Sequence, residues 1–331
     1  MKKFLACALA VTLLLGVPTA LAEGLKPITV AEPVHLIGYL PLYVAMHEGY
    51  FAEEGLDVTV VQATGGAHVT AVVSGDAFAV IGGVDSNLLA NRGSSDPVVA
   101  ISNCVYRANV YLFARKGMIP LSDSDEDMAA FLKGTTIVAG RYGGSPNVLT
   151  RYLLKTVGLD PDADVTLVEN ADASTVTAML EHGQGDIGNG GEPQISEGVT
   201  AGIWEEPFVA FPDLGDYAYS VIGVKQSTID NDPETCEKFV RALMKALKAV
   251  DEDHELAAKV LAIEFDTLTD EGRQAALDRA YADSLWSVDG VISHAAVDTL
   301  MDVVITSGLY EGDYDYDELV DLRFVEKIAA E

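Results

Sequence analysis

Strand-like and helix-like segments alternate along most of the chain. In the first third, short apolar runs rich in β-branched residues cover 28–36, 57–62, 78–81, 97–102 and 110–114. Between them lie two helix-like segments, 41–54 and 68–74. The first begins at Pro41 and stops before Gly55, which is the usual asymmetry of helix ends. This alternation predicts a parallel α/β architecture and not a helical bundle or a β-sandwich.

The same order of segments restarts after Arg115. Helices are predicted over 125–132, 145–157 and 171–181, and strands over 135–139 and 165–168. Valines and leucines recur at helical spacing along the middle helix, which predicts one apolar face packed on a sheet. One more strand is predicted over 219–224, and helices follow from Pro233 onward.

Two distant stretches repeat one pattern. TAVVSGDAFAVIGG (70–83) resembles TAMLEHGQGDIGNGG (177–191), since each has a helix that begins Thr-Ala, a glycine, a short strand and two glycines. The repeat predicts two copies of one α/β unit, one in each of two lobes. Two lobes also suit a length of 331 residues, which exceeds the usual size of a single hydrophobic core.

The N-terminus has the pattern of an export signal. Lys2 and Lys3 precede an apolar run over 4–17, and an A-x-A motif ends at Ala22. We therefore predict that residues 1–22 are a cleaved signal peptide and that the protein is periplasmic. Cys7 precedes most of the apolar run instead of following it, which argues against a lipid anchor.

The chain is strongly acidic, with 51 Asp and Glu against 21 Lys and Arg and a net charge of −30. Such a charge repels nucleic acids and anionic membranes, so we expect neither as a partner. It also gives no help to a small anion, so any anion site has to be built locally. Outside the predicted signal peptide, the cysteines are Cys104 and Cys236. They suit either a disulfide bridge or two buried thiols.

Two glycine turns stand at the start of predicted helices. Gly65 and Gly66 lie in QATGGAHVTAVVSGD, and Gly143, Gly144 and Ser145 lie in GRYGGSPNVLTRYLL. The first N–H groups of a helix lack intrahelical partners, and the dipole makes that end mildly positive. Either turn alone is also explained by backbone geometry. Their occurrence in both lobes predicts a ligand, favouring an anion, held between two helix N-termini.

Missing motifs exclude several other chemistries. The chain has no G-x-x-x-x-G-K-[ST], no G-x-G-x-x-G after a strand and no G-x-S-x-G elbow. Its six histidines are scattered, and the acidic run over 123–127 fails as a calcium loop because Met128 stands where glycine is needed. We therefore expect no catalytic residues, no metal and no cofactor.

Several polar or aromatic residues stand where strands end and loops begin. Each alone has a surface or core role as its ordinary explanation, but together they have the composition of a small-molecule site. They are His35, Tyr39, Tyr43, Asp85, Tyr106, Arg107, Arg141, Tyr142 and Glu192. Arg107 or Arg141 would add a charge-assisted hydrogen bond to an anionic ligand, and the tyrosines would form walls.

One long stretch resembles a known family. GYLPLYVAMHEGYFAEEGLDVTVVQATGG (38–66) is similar to the N-terminal signature of the extracytoplasmic solute-binding proteins of nitrate, taurine and aliphatic-sulfonate ABC importers. That family includes binders of the thiamine pyrimidine precursor. The GRYGGSPN loop, the Gly183-x-x-Asp186 segment and the Glu192-Pro193 pair also match.

The resemblance implies the two-lobed, type II periplasmic-binding-protein fold. Each lobe would be a mixed, mostly parallel sheet flanked by helices, and two crossover hinge strands would join the lobes. Lobe one would comprise residues 23–113 and 219–331, and lobe two residues 114–218.

The resemblance also implies a site. It puts the ligand near Gly65, Gly66 and Ser145, whose family counterparts lie at helix N-termini that face the cleft. Glu192 falls where some members have an acid that meets a ligand amine, and Asp85 falls in a loop at the border of the cleft.

We therefore expect a receptor, and not an enzyme, that captures a small sulfonate-, taurine- or nitrate-like solute. It would deliver this solute to the transmembrane permease subunits of an ABC importer, and we expect it to act as a monomer. The alternative ligand is an aromatic or pyrimidine solute, which would suit the tyrosines and Glu192. The alternative functions are an enzyme of the menaquinone-pathway type on the same fold, or a ligand sensor.

Overall fold

The structure is a computed structural model and describes residues 24–169 and 173–331. The predicted signal peptide over 1–22 lies outside the described residues, as do the first residues of the helix predicted over 171–181. No helix within the described ranges is long and apolar enough to cross a membrane.

Two five-stranded sheets organise the described part of the chain. Their strands are β1 (Lys26–Glu32), β2 (Leu56–Gln62), β3 (Ala79–Gly82), β4 (Val98–Val105), β5 (Tyr111–Ala114), β6 (Thr136–Val138), β7 (Thr166–Val168), β8 (Ile187–Gly190), β9 (Val209–Ala210) and β10 (Ser220–Lys225). The first sheet has the order β2-β1-β3-β10-β4 and the second β7-β6-β8-β5-β9. In each sheet the first three strands are parallel, and the pairings of β10 and β5 are antiparallel. The predicted fold class is confirmed.

Helices cover both sheets. They are α1 (Leu40–His47), α2 (Tyr50–Glu53), α3 (Ala67–Ser74), α4 (Val84–Ala90), α5 (Asp125–Leu132), α6 (Ser145–Thr156), α7 (Ala173–Glu181), α8 (Gln194–Thr200), α9 (Gln226–Asn231), α10 (Pro233–Glu252), α11 (His254–Glu264), α12 (Asp270–Ala282), α13 (His294–Ser307), α14 (Tyr316–Leu319) and α15 (Arg323–Ala329). The prediction of one helix over 41–54 is wrong, because Gly49 adopts a positive φ of 75° and divides it into α1 and α2.

The repeated sequence pattern occupies equivalent positions in the two sheets. Its first copy forms α3 and β3, and its second copy forms the end of α7 and β8. Both β3 and β8 are third in their sheet, between a parallel and an antiparallel neighbour. The two copies therefore place two pairs of glycines at corresponding strand ends.

The C-terminal helices pack on the first sheet and also reach the second lobe. Helix α10 buries an apolar face that includes Phe239, Leu243 and Leu247, while α12 contacts α8 and α13 contacts α6. The second sheet has a smaller core of its own, in which the rings of Trp204 and Phe113 lie 4.5 Å apart between centroids. The contacts of α12 with α8 and of α13 with α6 lie between the two lobes.

The chain crosses between the sheets over residues 106–110 and 211–219. The two crossings are tied together, because Tyr106 Oη donates to Asp216 Oδ2 at 2.8 Å and the Arg107 guanidinium donates to Asp216 Oδ1 at 2.9 Å. The predicted boundary between residues 113 and 114 falls inside β5, which is a strand of the second sheet.

The two thiols are not joined. Cys104 and Cys236 are both free and buried. Burial raises the pKa of each thiol to about 12, so neither forms a reactive thiolate at neutral pH.

Candidate functional site

A cavity of about 730 Å³ lies between the two sheets. Its lining residues follow the carboxyl ends of β1, β2 and β3 in the first sheet and of β6 and β8 in the second. This is the position where open α/β sheets bind their ligands. Much of its aromatic and apolar wall is formed by Tyr39, Tyr219, Val34, Leu36 and Val176.

Glycine segments from both lobes line this cavity. They are Gly65-Gly66 and Gly82-Gly83 from the first lobe, and Gly140, Gly144 and Gly190-Gly191 from the second. Gly65 and Gly66 have φ values of 68° and 91°, a region that other residues rarely adopt. A Cβ on Gly191 would lie only 3.1 Å from the Asn109 carbonyl oxygen, so a side chain at this position would press against that carbonyl. Backbone therefore forms much of the surface that meets a ligand.

The first helix terminus in the cavity is that of α3. Gly66 is its N-cap and supplies no side-chain cap. The N–H groups of its first two residues donate to carbonyls of the preceding turn at 3.1 and 3.0 Å. The N–H groups of Gly65 and Gly66 have no hydrogen-bond partner among the described residues. They remain available to a ligand.

The second terminus is that of α6, from the other lobe. Its N-cap Gly144 is extended, with φ −84° and ψ 150°, and supplies no cap. Within the described ranges, the N–H groups of Ser145 and Asn147 have no partner. The Asn189 amide on β8 donates to the Pro146 carbonyl at 3.0 Å and so fixes the first turn against the sheet.

The cavity carries little formal charge. Arg141 is the one arginine or lysine among its described lining residues, and no carboxylate occurs among them. His68 is 4% exposed, and burial together with the nearby charge of Arg141 lowers its pKa to about 4. Burial raises the pKa of Tyr39 far above its ordinary value, so that hydroxyl keeps its proton. At pH 7 the cavity offers one cation, two helix ends and uncharged polar groups.

Asp85 lies behind this lining. Its carboxylate is buried and accepts from the Ser86 N–H at 2.8 Å. Burial raises the pKa of Asp85, whereas its backbone hydrogen bonds, the charge of Arg141 and the Ser145 hydroxyl oppose the shift. Asp85 belongs to the first lobe, whereas Arg141 and Ser145 belong to the second, so its surroundings come from both lobes.

Six of the residues predicted to bind ligand line the cavity together. They are Tyr39, Gly65, Gly66, Arg141, Gly144 and Ser145. The structure brings them from both lobes to one space. Their contact with a ligand stays a prediction.

The other predicted residues lie outside the lining. His35 turns toward the first-lobe core, where its Nδ1 lies 3.1 Å from Glu32 Oε1 and 2.9 Å from Tyr43 Oη. Arg107 is held in the crossings by Asp216. Tyr142 is 52% exposed at the surface, beneath the guanidinium of Arg151.

Glu192 has partners of its own, although it follows a lining glycine. Its carboxylate is 3% exposed and accepts from the Ser196 N–H at 3.1 Å, the Ser196 hydroxyl at 2.9 Å and Arg279 Nε at 2.6 Å. Arg279 also donates to Glu206 at 3.0 Å. The acid predicted to meet a ligand amine is therefore engaged in an ion pair between α12 and the second lobe.

Several lining residues were not predicted from the sequence. Among them are His68, Ser86, Asn109, Asn189 and the glycine pairs 82–83 and 190–191. The sequence did contain a signal for the two glycine pairs, because each pair ends one copy of the repeated pattern. His68 had no such signal, since its environment depends on β3 and on Arg141 from the other lobe.

We expect His68 to make stability depend on pH. Its pKa is about 4 in the folded protein and 6.5 in an exposed histidine. Between these values the unfolded chain binds one more proton, so stability falls as the pH drops from 6.5 to 4. For His68→Gln, urea unfolding over this range should show a slope smaller by up to about 1.4 kcal/mol per pH unit. If the unfolding free energies of the wild type and His68→Gln depend on pH with the same slope, the prediction is wrong.

No group of three or more His, Cys, Asp or Glu side chains that could hold a metal ion occurs among the described residues. The cavity lining presents backbone N–H groups, Arg141 and uncharged polar side chains around a concave surface. Such an arrangement can hold a ligand between two lobes.

The chain resembles known proteins over most of its length. The model of the family described as NMT1/THI5 like matches residues 37–257. YtlA of Bacillus subtilis (strain 168), described as a binding protein, is 30% identical over 313 residues, which are 93% of this chain and 92% of the relative. The riboflavin-binding protein RibY of Chloroflexus aurantiacus is 31% identical over 223 residues, which are 64% of this chain and 58% of that protein.

A solved structure agrees in fold. The periplasmic nitrate-binding protein NrtA from Synechocystis PCC 6803 superposes with a TM-score of 0.73 at 14% identity, over 92% of this chain and 89% of that one. At such an identity the likeness shows the fold alone. The family match is more specific, because it spans four of the five strands of the first sheet, the crossings and the whole of the second sheet. The chain belongs to the NMT1/THI5-like family, and its resemblance to solute-binding proteins of ABC importers is confirmed.

Proposed function

We propose that the protein is the substrate-binding receptor of an ABC importer and captures a ring-containing organic solute with one anionic or carbonyl-rich edge. The observation that carries this proposal is the composition of the cavity, in which two helix N-termini and one arginine face a space with otherwise uncharged walls. The edge would accept hydrogen bonds from the free N–H groups and Arg141, and the ring would lie on the aromatic and apolar wall.

The volume favours an organic solute over a bare inorganic anion. About 730 Å³ lies within the range of about 300–1,000 Å³ typical of pockets for drug-sized ligands. Nitrate would leave most of this space to water. Tyr39 and Tyr219 offer ring surfaces, and such surfaces gain from contact with another aromatic ring.

The charge of the cavity disfavours taurine. A zwitterion needs an acid beside its amine, but no carboxylate occurs among the described lining residues. Glu192, the acid expected for this role, is paired with Arg279. The name of the relative RibY, a riboflavin-binding protein, adds support for a ring-containing solute.

Capture would proceed by closure of the two lobes on the ligand. Contacts between the lobes, such as that of α13 with α6, exist only while the lobes are near each other. A ligand that binds the N-termini of both α3 and α6 would stabilise this closed arrangement, in proportion to its preference for the closed form. Release would then require a partner that favours the open form, and permease subunits would supply that function.

A ligand panel tests this proposal. We expect riboflavin or an aromatic sulfonate to raise the unfolding temperature, and nitrate and taurine to leave it unchanged at equal concentration. A ligand at about 100 times its dissociation constant stabilises the folded state by about 2.7 kcal/mol. Differential scanning fluorimetry would measure the shift, and mass spectrometry of the released ligand would show it to be chemically unchanged.

Two results would contradict the proposal. If nitrate or taurine raises the unfolding temperature and ring compounds do not, the ligand is a small solute and not a ring-containing one. Conversion of a bound compound into a new product would replace the receptor by an enzyme.

A further inference from the structure

We infer that His68 is the specificity-determining residue of the cavity, and that its imidazole selects a ligand with an uncharged hydrogen-bonding group at the N-terminus of α3. The inference rests on the proposed function, since it assigns a role within the same cavity. It adds that the two lobes recognise different parts of the ligand.

The position of His68 is set by two elements of the first lobe. It is the second residue of α3, and its ring lies against the end of β3. A Cβ on Gly82 would lie 3.3 Å from both Cδ2 and Nε2 of this ring, so glycine at the strand end makes room for it. With 4% of its surface exposed, the side chain is part of the wall and has little freedom to move.

His68 has unused hydrogen-bonding capacity. Its Nδ1 is buried and has no hydrogen-bond partner in the part of the chain that the structure describes. Buried polar side-chain atoms in proteins are nearly always paired, because an unpaired one has lost its hydrogen bonds to water. Nε2 of the same ring also has no partner in the described part of the chain and is not buried, so it is the ring nitrogen that a ligand in the cavity would contact.

The electrostatic surroundings keep this imidazole uncharged. Burial is the largest effect on its pKa, and Arg141 from the second lobe adds like-charge repulsion. The Ala63 carbonyl has an opposite and smaller effect. A neutral imidazole has one N–H donor and one acceptor nitrogen, whereas an imidazolium has two donors.

This assigns separate roles to the two lobes. Arg141 and the α6 terminus suit the anionic or most electron-rich edge of a ligand. His68 suits a group that donates or accepts without charge, such as a ring N–H or a ring carbonyl. A heteroaromatic compound with neighbouring N–H and C=O groups meets both requirements, and a simple alkyl sulfonate meets only the first.

The first experiment needs no ligand. Nitrogen-15 NMR of the His68 ring at pH 6.5 should show a neutral imidazole, with His68→Gln used to assign its signals. A neutral ring supports the inference. An imidazolium at this pH would overturn it, because the wall would then carry a second cation.

The second experiment uses riboflavin as the probe and two variants of one position. We expect His68→Gln, which keeps a neutral donor and acceptor, to bind riboflavin within about threefold of the wild type. We expect His68→Leu, which keeps the bulk but has no hydrogen-bonding group, to bind about tenfold more weakly. His182→Leu, an exposed histidine outside the cavity lining, is the matched control and should not change the affinity.

The outcomes separate this inference from the proposed function. Equal affinity of wild type, His68→Gln and His68→Leu for riboflavin would overturn the role of His68 and leave the receptor intact. Absence of riboflavin binding by the wild type would count against the ring-containing solute instead. In that case the comparison of wild type, His68→Gln and His68→Leu is made with the compound of the panel that does bind, and equal affinities would again overturn the role of His68.

Discussion

Trp204→Ala should lower the free energy of unfolding by about 3–5 kcal/mol, the usual cost of deleting a fully buried aromatic side chain. Trp204 is 1% exposed and lies in the small core of the second sheet against Phe113. Its indole N–H also donates to the Ile195 carbonyl at 3.1 Å. The Gly198 backbone packs directly against the indole, since a Cβ there would overlap it, and glycine has no side chain to fill the gap.

The measurement is favoured by the distribution of tryptophans. The chain has two, of which Trp204 lies in the second-sheet core and Trp286 is hydrogen-bonded to the Gly38 carbonyl of the first lobe. In the variant, urea unfolding followed by fluorescence therefore reports the first lobe, and circular dichroism reports the whole chain. An earlier transition by circular dichroism than by fluorescence would locate the damage in the second lobe.

Leu121→Ala is a suitable control. Leu121 is 91% exposed, so its truncation should change stability by less than about 0.5 kcal/mol. A loss below about 1 kcal/mol for Trp204→Ala would mean that the second sheet does not depend on this core, contrary to the packing described above.

Much of the fold could be predicted because its signals are local. Short apolar runs, proline at helix starts and glycine at helix ends depend on residues within a few positions of one another. The repeated pattern also contained information about long-range structure. It predicted two copies of one unit, and the strands of these copies, β3 and β8, each lie third in their sheet. The helix break at Gly49 was not predicted, because a single glycine inside a helical pattern is often tolerated.

The site was only half predictable, for a different reason. Glycines and Ser145 act through backbone geometry, which a local pattern reveals. Glu192 and Arg107 were selected as polar residues at strand ends, but their roles depend on partners far along the chain. Glu192 meets Arg279, and Arg107 meets Asp216. Without those partners, a sequence does not distinguish a ligand-binding side chain from one that joins two lobes.

Ser145→Pro should weaken binding of riboflavin by about 1–3 kcal/mol, which is about 5- to 150-fold. Ser145 is the first residue of α6, a position where proline is well tolerated because its N–H has no helical partner. The preceding Gly144 already has the extended backbone that proline requires before it, with φ −84° and ψ 150°. The substitution therefore removes one backbone donor from the cavity with little disturbance of the helix.

Ser145→Ala separates this donor from the side chain. Both variants lose the hydroxyl, and only the proline variant also loses the N–H. We expect alanine to weaken binding by a smaller factor, because it keeps the backbone donor at the helix terminus. Isothermal titration calorimetry would measure both affinities. Equal affinities in the two variants would mean that the helix terminus does not contact the ligand, and the paired termini would then serve only to turn the chain.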